Sequence, residues 1–106
     1  MILEIFQMIF LEKRIEGYLR AQVALNGGKC YKWQSPQNAG VPDRIVFIYK
    51  QVWFIELKRP GGELRKLQEI VGRAIKEHID NYCVLSTLEE VDDFIKLVKE
   101  QDNVNK

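Results

Sequence analysis

The sequence has little of the residue types on which disulfide frameworks, zinc modules and disordered linkers depend. It contains two cysteines, one histidine and three prolines among 106 residues. Cys30 and Cys83 lie in apolar, strand-like segments without CxxC or Cys/His spacing, so we expect buried free thiols. No repeat, low-complexity tract or linker interrupts the chain, and its 46% hydrophobic content predicts one compact domain over residues 1–106.

The N-terminal segment MILEIFQMIF is apolar but has neither the basic start nor the small-residue cleavage site of a secretory leader. It runs directly into the helical spacing of LEKRIEGYLR. We therefore predict a protein of a reducing cytoplasm, with no signal peptide and no membrane-spanning segment.

Charge is unevenly distributed along a chain whose net charge is only +1. Residues 29–66 carry eight basic side chains against three acidic ones, whereas residues 67–106 carry five against nine. A basic region beside an acidic one is typical of a phosphate-facing site on an otherwise ordinary domain. Chance segregation of solvated charges would give the same pattern, so this feature alone leaves both interpretations open.

Apolar spacing divides the chain into alternating helices and strands. Residues 2–25 and 63–79 have helical periodicity, and the segment 26–28 (Asn-Gly-Gly) ends the first helix. Strand-like segments are KCYKWQ, DRIVFIY, VWFIELK and YCVLS, and Thr87 with Glu90 forms a capping box before VDDFIKLVK. The second and third strands are apolar on both faces, which indicates a sheet covered on two sides. The predicted fold is α/β, a single mixed sheet flanked by helices in the order α-β-β-β-α-β-α.

Three charged residues stand at one end of the predicted hairpin formed by the second and third strands. Glu56 and Lys58 share a face because side chains alternate along a strand. If residues 50–51 form a two-residue tip, Asp43 lies opposite Lys58 and diagonal to Glu56, so all three charges meet on one face. A loop one residue longer or shorter would turn Asp43 to the other face.

Polar residues also interrupt the apolar faces of two predicted helices. Glu12 lies in the middle of the stripe on the first helix and Glu16 at its edge, and a carboxylate buried there needs a partner. Gln68 lies within the stripe of the following helix. The apolar members of the two stripes are Ile5, Met8, Ile15, Leu19 and Val23, and Leu64, Leu67, Val71 and Ile75. Both helices are therefore expected to direct polar groups towards the sheet.

Carboxylates that converge on one face suggest a hard divalent cation, above all Mg²⁺, held by a few oxygens with water and phosphate completing the octahedron. Such a metal stabilises charge on a phosphoryl group and lowers the pKa of a bound water, which a neighbouring lysine can orient or activate. The reaction class would be phosphodiester hydrolysis. A buried ion pair of Lys58 with Glu56 or Asp43 needs no ligand and is the alternative interpretation.

The spacing of these residues resembles a known nuclease motif. Pro42-Asp43, with Glu56 and Lys58 following as ExK, resembles the PD-(D/E)xK nuclease superfamily. The wider segment GGKCYKWQSPQNAGVPDRIVF…VWFIELKRPGGELRKLQ is similar to the virus-type replication-repair nuclease (VRR-NUC) domain, and the likeness covers nearly the whole chain. The resemblance implies a restriction-endonuclease-like core and a DNA endonuclease that depends on Mg²⁺ or Mn²⁺.

The active site that the resemblance implies consists of a helix-one glutamate, the aspartate after proline, the ExK pair and a later glutamine. These correspond to Glu12, Asp43, Glu56, Lys58 and Gln68. Asp43, Glu56 and Glu12 would be the metal ligands. Glu16, one turn from Glu12, remains the alternative, although the stripe favours Glu12. The resemblance to small stand-alone members of the VRR-NUC family further implies a homodimer that cleaves branched DNA, such as four-way (Holliday) junctions, in a bacterial or phage-infected cell.

Basic residues near the hairpin and the second helix supply predicted DNA contacts. They are Lys32, Arg44, Arg59, Arg65 and Lys66. A DNA-binding module without catalysis stays open as an alternative, but it would predict a missing acidic ligand or lysine, and none is missing. A flap or restriction-type endonuclease also stays open, although 106 residues leave little room for a separate base-reading element.

A second apolar row occupies the start of the first helix, on the side away from Glu12. Ile2, Phe6 and Phe10 form it, and the same side is polar further on, at Lys13 and Arg20. An exposed row of this kind marks an interface, although a C-terminal helix could cover it within one chain. A symmetric dimer would carry two identical sites, which suits paired cuts in a four-way junction. We therefore predict a homodimer through this row.

Overall fold

The computed structural model describes all residues from Met1 to Lys106. Its helices and strands are α1 (Ile2–Leu25), β1 (Lys29–Lys32), β2 (Arg44–Ile48), β3 (Gln51–Leu57), α2 (Lys66–Lys76), β4 (Tyr82–Leu85) and α3 (Leu88–Val104). The predicted order of elements is confirmed. The second helix is shorter than the predicted range 63–79 at both ends, because it starts only after its N-cap residue, Arg65, and ends at Lys76 before its C-cap residue, Glu77.

The four strands form one mixed sheet in the order β1-β2-β3-β4. β1 and β2 are antiparallel, as are β2 and β3, whereas β3 and β4 are parallel. The parallel pair requires a crossover connection, which α2 provides. The predicted α/β fold with a single sheet between helices is confirmed.

The two faces of the sheet have different covers, which we call the core face and the site face. On the core face, alternate residues of β2 and β3 pack against α1 and α3 in one apolar cluster. Its members are Ile15, Leu19, Val23, Val46, Ile48, Trp53, Ile55, Leu57, Leu85, Val91, Phe94, Ile95 and Val98. The site face carries Phe54 and Glu56 and is covered by α2. Gly72 of α2 lets the Tyr82 ring approach, since a Cβ there would lie 2.5 Å from the Tyr82 hydroxyl.

α1 is buried only in its second half. Ile15 and Leu19 are core residues, but Ile5 is 50% exposed and Glu12 is exposed too. The prediction that Ile5 and Glu12 belong to a continuous core-facing stripe is therefore wrong. The reason is length, because a helix of 24 residues, about 36 Å long, extends past strands of seven residues at most, about 23 Å long.

The β2–β3 hairpin turns at Tyr49 and Lys50, one position earlier than the predicted tip. Ile48 pairs with Gln51, and the two turn residues have positive φ angles of 50° and 65°. Two positive φ angles are typical of a type I′ turn, whose twist matches that of the flanking strands. Neither turn residue is glycine or asparagine, so the sequence did not indicate this turn.

The earlier turn shifts the hairpin register by two residues. Asp43 therefore stays on the predicted face, because a shift of two preserves the alternation of side chains. Its partner changes, however. Asp43 lies opposite Glu56 and diagonal to Lys58, the reverse of the predicted arrangement.

The sequence also made predictions about a helix cap, the two cysteines and membrane spans. Thr87 caps α3 as predicted, because its Oγ1 accepts a hydrogen bond from Glu90 N at 3.0 Å. Cys30 and Cys83 are free but only half-buried. None of the helices combines the length and the hydropathy needed to cross a membrane.

Candidate active site

Glu56 is an acidic residue without any solvent exposure near the end of β3. Its Oε1 accepts a hydrogen bond from Gln68 Nε2 at 3.0 Å, whereas its Oε2 has no hydrogen-bond partner. A buried polar atom without a partner destabilises a fold, and such atoms are rare in native proteins. The free oxygen therefore indicates a position at which Glu56 meets a ligand.

Burial, with a smaller contribution from the neighbouring Asp43 carboxylate, raises the pKa of Glu56 from 4.5 to about 9. The Glu12 carboxylate also raises this pKa, and the Arg65 guanidinium lowers it. The Glu56 carboxyl therefore keeps its proton at neutral pH. A cation at this position would favour the ionised form, because it would offset both the burial of the charge and the repulsion by Asp43.

Asp43 immediately precedes β2 and is fixed beside Glu56. The last pair of the β2–β3 ladder is Arg44 with Ile55, and one further step places Asp43 opposite Glu56. Asp43 Oδ2 accepts a hydrogen bond from Leu57 N at 2.9 Å, which holds its carboxylate against β3. Directly opposed side chains in an antiparallel pair are close neighbours, so the two carboxyl groups share one small region of the site face.

Gln68 connects α2 to this carboxyl pair. Its Oε1 accepts a hydrogen bond from Arg65 N at 2.9 Å, and its Nε2 donates to Glu56. The first bond caps the N-terminus of α2, so the side chain that contacts Glu56 also fixes where the helix begins. Gln68 is therefore a positioning residue for Glu56, as its place on the apolar stripe of this helix suggested.

Lys58 follows β3, on the same face as Glu56 by alternation. Its backbone N–H donates to Leu85 O at 3.1 Å, which extends the parallel pairing by one residue. Its side chain is partly exposed and takes part in neither of the two ion pairs in the structure. The alternative interpretation, an ion pair of Lys58 with Glu56 or Asp43, is not what the structure contains.

The two candidate glutamates of α1 have different surroundings. Glu16 Oε2 accepts from Arg44 Nε at 3.3 Å, whereas Glu12 forms no ion pair. Both line a small cavity of about 110 Å³ that also includes Asp43. Arg44 is only 7% exposed and points to the core face, so the prediction that it contacts DNA is wrong. It is buried because its guanidinium satisfies Glu16.

The other predicted DNA contacts are accessible. Lys32 and Arg65 are exposed and line an open cleft of about 380 Å³ that also includes Asp43 and Gln68. Lys66 is exposed at the start of α2. Lys32 and Arg65 thus give the cleft beside Asp43 a positive charge that favours an anionic ligand. Arg59 is only half-exposed and packs against Gly62.

The donor chemistry of the site suits a hard cation. No three acidic, histidine or cysteine side chains are grouped closely enough to form a complete metal site. Mg²⁺, however, is commonly bound through one or two carboxylates with water and substrate phosphate as its other ligands. Asp43 and Glu56 provide two carboxylates, and the free Glu56 Oε2 is an available ligand atom.

Comparison with known proteins gives the fold a name. No family model matches the chain. A "VRR_NUC domain" of known structure has a TM-score of 0.74 and 23% identity, covering 80% of this chain and 94% of that one. The chain has the VRR-NUC fold. A phage relative, "Putative nuclease p44" of Acyrthosiphon pisum secondary endosymbiont phage 1, is 43% identical over 51 residues. That match covers 47% of this chain and 55% of the relative, about half of each.

Within the VRR-NUC fold, the structure joins three of the five predicted catalytic residues directly. Asp43, Glu56 and Gln68 are connected by register and hydrogen bonds, and Lys58 flanks them on the same face. Glu12 is exposed on α1 and forms no hydrogen bond with them, but it lines the small cavity that includes Asp43. Trp33, which no motif in the sequence assigned to the site, also lines the cleft beside Asp43. Its direct neighbour Lys32 was the only signal in the sequence for that location.

Proposed function

We propose that this protein is a divalent-metal-dependent DNA endonuclease that hydrolyses phosphodiester bonds in branched DNA. The observation that carries the proposal is the Asp43–Glu56 pair, in which a fully buried carboxyl group keeps one oxygen without a partner. Its place in a VRR-NUC fold and the name of the phage relative support the same chemistry. A DNA-binding module without catalysis would not need a buried, unsatisfied glutamate, which destabilises the fold.

The proposed ligands for Mg²⁺ or Mn²⁺ are Asp43 and Glu56, with Glu12 as the third carboxylate. When bound, the metal would stabilise charge on the phosphoryl group and lower the pKa of a bound water. Gln68 Nε2 donates a hydrogen bond to Oε1 of Glu56 and so leaves Oε2 of Glu56 for the metal. The Lys58 ammonium, which has no ion-pair partner, would hold either the attacking water or an oxygen of the phosphate that the water attacks.

Lys32, Arg65 and Lys66 are proposed to hold the phosphates next to the scissile bond. They are exposed, and the first two line the cleft that leads to Asp43. Contacts of this kind are independent of base sequence and weaken as salt rises. The chain should therefore select DNA by its shape rather than by its sequence.

The proposal is tested with a panel of end-labelled four-way junctions, flaps, splayed arms and plain duplex, each with Mg²⁺ or EDTA. We expect metal-dependent cleavage, with junctions cut in preference to duplex. Asp43→Asn should abolish cutting, and Asp93→Asn, an exposed aspartate of α3 away from the site, is the matched control. Equal cleavage by wild type and Asp43→Asn, or with EDTA, would refute the assignment of the site.

The proposed assembly is a homodimer through the start of α1. Ile2, Phe6 and Phe10 are 73%, 63% and 64% exposed, and no element of the same chain covers them. Burying three such side chains between two copies would remove a substantial apolar area from water. A two-fold axis would present two sites to a junction of similar symmetry.

Sedimentation at micromolar concentration tests this interface. Phe6→Glu combined with Phe10→Glu should give soluble monomers that no longer make paired cuts. Leu25→Glu is the control, because Leu25 is 78% exposed at the opposite end of α1. A wild-type monomer at this concentration, or disruption by Leu25→Glu alone, would contradict the proposed interface.

A further inference from the structure

We propose that the cleft beside Asp43 receives an unstacked nucleobase of the DNA substrate, with the indole of Trp33 as its stacking surface. The proposal deepens the proposed nuclease function, on which it rests, by naming what the enzyme recognises next to the scissile phosphate. A base can enter such a cleft only where the strand is unpaired or distorted, as at the centre of a junction or at a flap.

Trp33 is the neighbour of Asp43 across the sheet. The β1–β2 ladder ends with Lys32 opposite Arg44, and the next step is marked by a hydrogen bond from Trp33 N to Asp43 O at 2.9 Å. The order across the site face is therefore Trp33, Asp43, Glu56. A group that stacks on Trp33 would lie one strand away from the carboxyl pair.

The position of the Trp33 ring is fixed from within the protein. Its centroid lies 5.4 Å from that of Phe54, with the two rings tilted by 51°. Phe54 precedes Glu56 by two residues and lies on the same face. Trp33 is half-buried and lines the cleft, so part of the ring is held by Phe54 and part is available to a ligand. A pre-positioned aromatic ring loses little entropy when a base stacks on it.

The cleft suits a nucleotide in size and chemistry. Its volume of about 380 Å³ falls within the range of small-ligand sites. Lys32 and Arg65 offer positive charge for phosphate, and Gln34 and Asn38 offer amide groups for the edge of a base. Asp43 is the only acidic residue in the lining. An aromatic ring with flanking cations is the combination with which proteins bind single-stranded nucleic acid.

The opposite wall of the cleft is held in place by a close backbone contact. Gly40, in the loop that carries Gln34 and Asn38, approaches α2 so closely that a Cβ would lie 2.5 Å from Leu67 O. Any side chain at residue 40 would force the loop away from the helix. The cleft is thus a formed feature between this loop and the first turn of α2.

Binding without catalysis tests the proposal directly. A labelled splayed-arm DNA, whose duplex end fixes the register of the single-stranded arms, is titrated in EDTA and followed by fluorescence anisotropy, with an abasic site moved along one arm a position at a time. We expect one abasic position to weaken binding clearly more than the others. Trp33→Ala should weaken binding of the intact strand by about 5- to 150-fold, the range for loss of one base stack.

Two further variants separate stacking from fold. Trp33→Phe keeps an aromatic ring and should retain most of the affinity. Tyr31→Ala is the matched control, because Tyr31 is 56% exposed on β1, contacts Phe47 and lies outside the cleft. Circular dichroism checks that Trp33→Ala is folded.

The proposal is overturned if Trp33→Ala binds as tightly as wild type, if Tyr31→Ala is equally impaired, or if every abasic position has the same effect. Because binding is measured in EDTA, these outcomes are independent of cleavage. A protein that shows the Trp33 pattern but cuts no DNA with Mg²⁺ would refute the nuclease function and leave the base site standing.

Discussion

The core face and the site face bury different kinds of residue, although both are built from the same strands. From β3, Ile55 and Leu57 enter the apolar cluster of the core face, whereas Glu56 between them points to the site face. Ile55 and Glu56 are equally inaccessible to solvent. The Ile55 side chain has no polar atom that needs a partner, whereas Glu56 keeps one carboxyl oxygen without a hydrogen bond.

Alternation by one residue along β3 therefore separates the residues that stabilise the fold from those that supply chemistry. The core face holds the fold together by removing apolar area from water. The site face sacrifices stability, since a buried carboxyl group beside a second one is unfavourable until a cation or proton compensates it. Substitutions on one face should therefore change one property and leave the other nearly intact.

The largest effect on stability is expected on the core face. Ile55→Ala leaves a cavity at a position with no solvent exposure and should lower the free energy of unfolding by about 2–5 kcal/mol. Val52→Ala, in the same strand but 42% exposed on the other face, should lower it by less than about 1 kcal/mol. Urea denaturation followed by circular dichroism measures both. Equal losses would mean that the two faces do not differ in packing.

The largest effect on activity is expected on the site face. Lys58→Ala removes an unpaired ammonium on the same sheet face as the carboxyl pair and should lower the rate of cleavage by about 100- to 1,000-fold. Its melting temperature should stay close to that of wild type, because Lys58 forms no ion pair. Lys99→Ala, an exposed lysine of α3, is the control. Single-turnover cleavage of a junction gives the rates, and unchanged activity in Lys58→Ala would remove this lysine from the mechanism.

Glu56→Gln should make the site face more stable in the absence of metal. The pKa of Glu56 is about 9 in the fold and 4.5 as a free side chain. Between these values the unfolded chain releases a proton that the folded chain retains, so this group's contribution to stability is full below about pH 4.5 and is lost as pH rises to about 9. At pH 7 and without metal, Glu56→Gln should gain roughly 2–3 kcal/mol.

Chemical denaturation from pH 5 to pH 9 in EDTA measures this effect. The free energy of unfolding of wild type should fall relative to that of Glu56→Gln as pH rises. Glu63→Gln, an exposed glutamate of the loop before α2, is the control and should follow wild type. Adding Mg²⁺ should stabilise wild type more than Glu56→Gln. Parallel pH curves for wild type and Glu56→Gln would show that Glu56 is ionised in the fold.

The smallest effect distinguishes the two glutamates of α1. Glu12→Gln should lower metal-dependent cleavage by about 10- to 100-fold, as expected for loss of an outlying ligand. Glu16→Gln should change it by less than about threefold, because Glu16 is engaged by Arg44 at 3.3 Å. Cleavage rates at several Mg²⁺ concentrations measure both. A larger loss in Glu16→Gln would mean that Glu16 exchanges Arg44 for the metal.

Several features of this protein followed from the sequence by itself. Periodicity gave the order of elements, since apolar spacing differs between helix and strand. The alternation of Glu56 and Lys58 placed these two charges on one face, and an assumed hairpin register that differs by two residues from the true one still placed Asp43 with them. Gln68 was found because it interrupts an apolar stripe. Each of these is a local pattern, readable within a few residues of the chain.

Only the tertiary structure decided which polar groups have partners. Arg44 pairs with Glu16 across 28 positions and is buried, whereas its sequence context suggested a DNA contact. The I′ turn made Asp43 the partner of Glu56, although Tyr49 and Lys50 carry no turn signature. The burial of Glu56, and with it the raised pKa, depends on α2 closing over β3. These properties arise from contacts between distant segments, and no local pattern encodes how much water those contacts exclude.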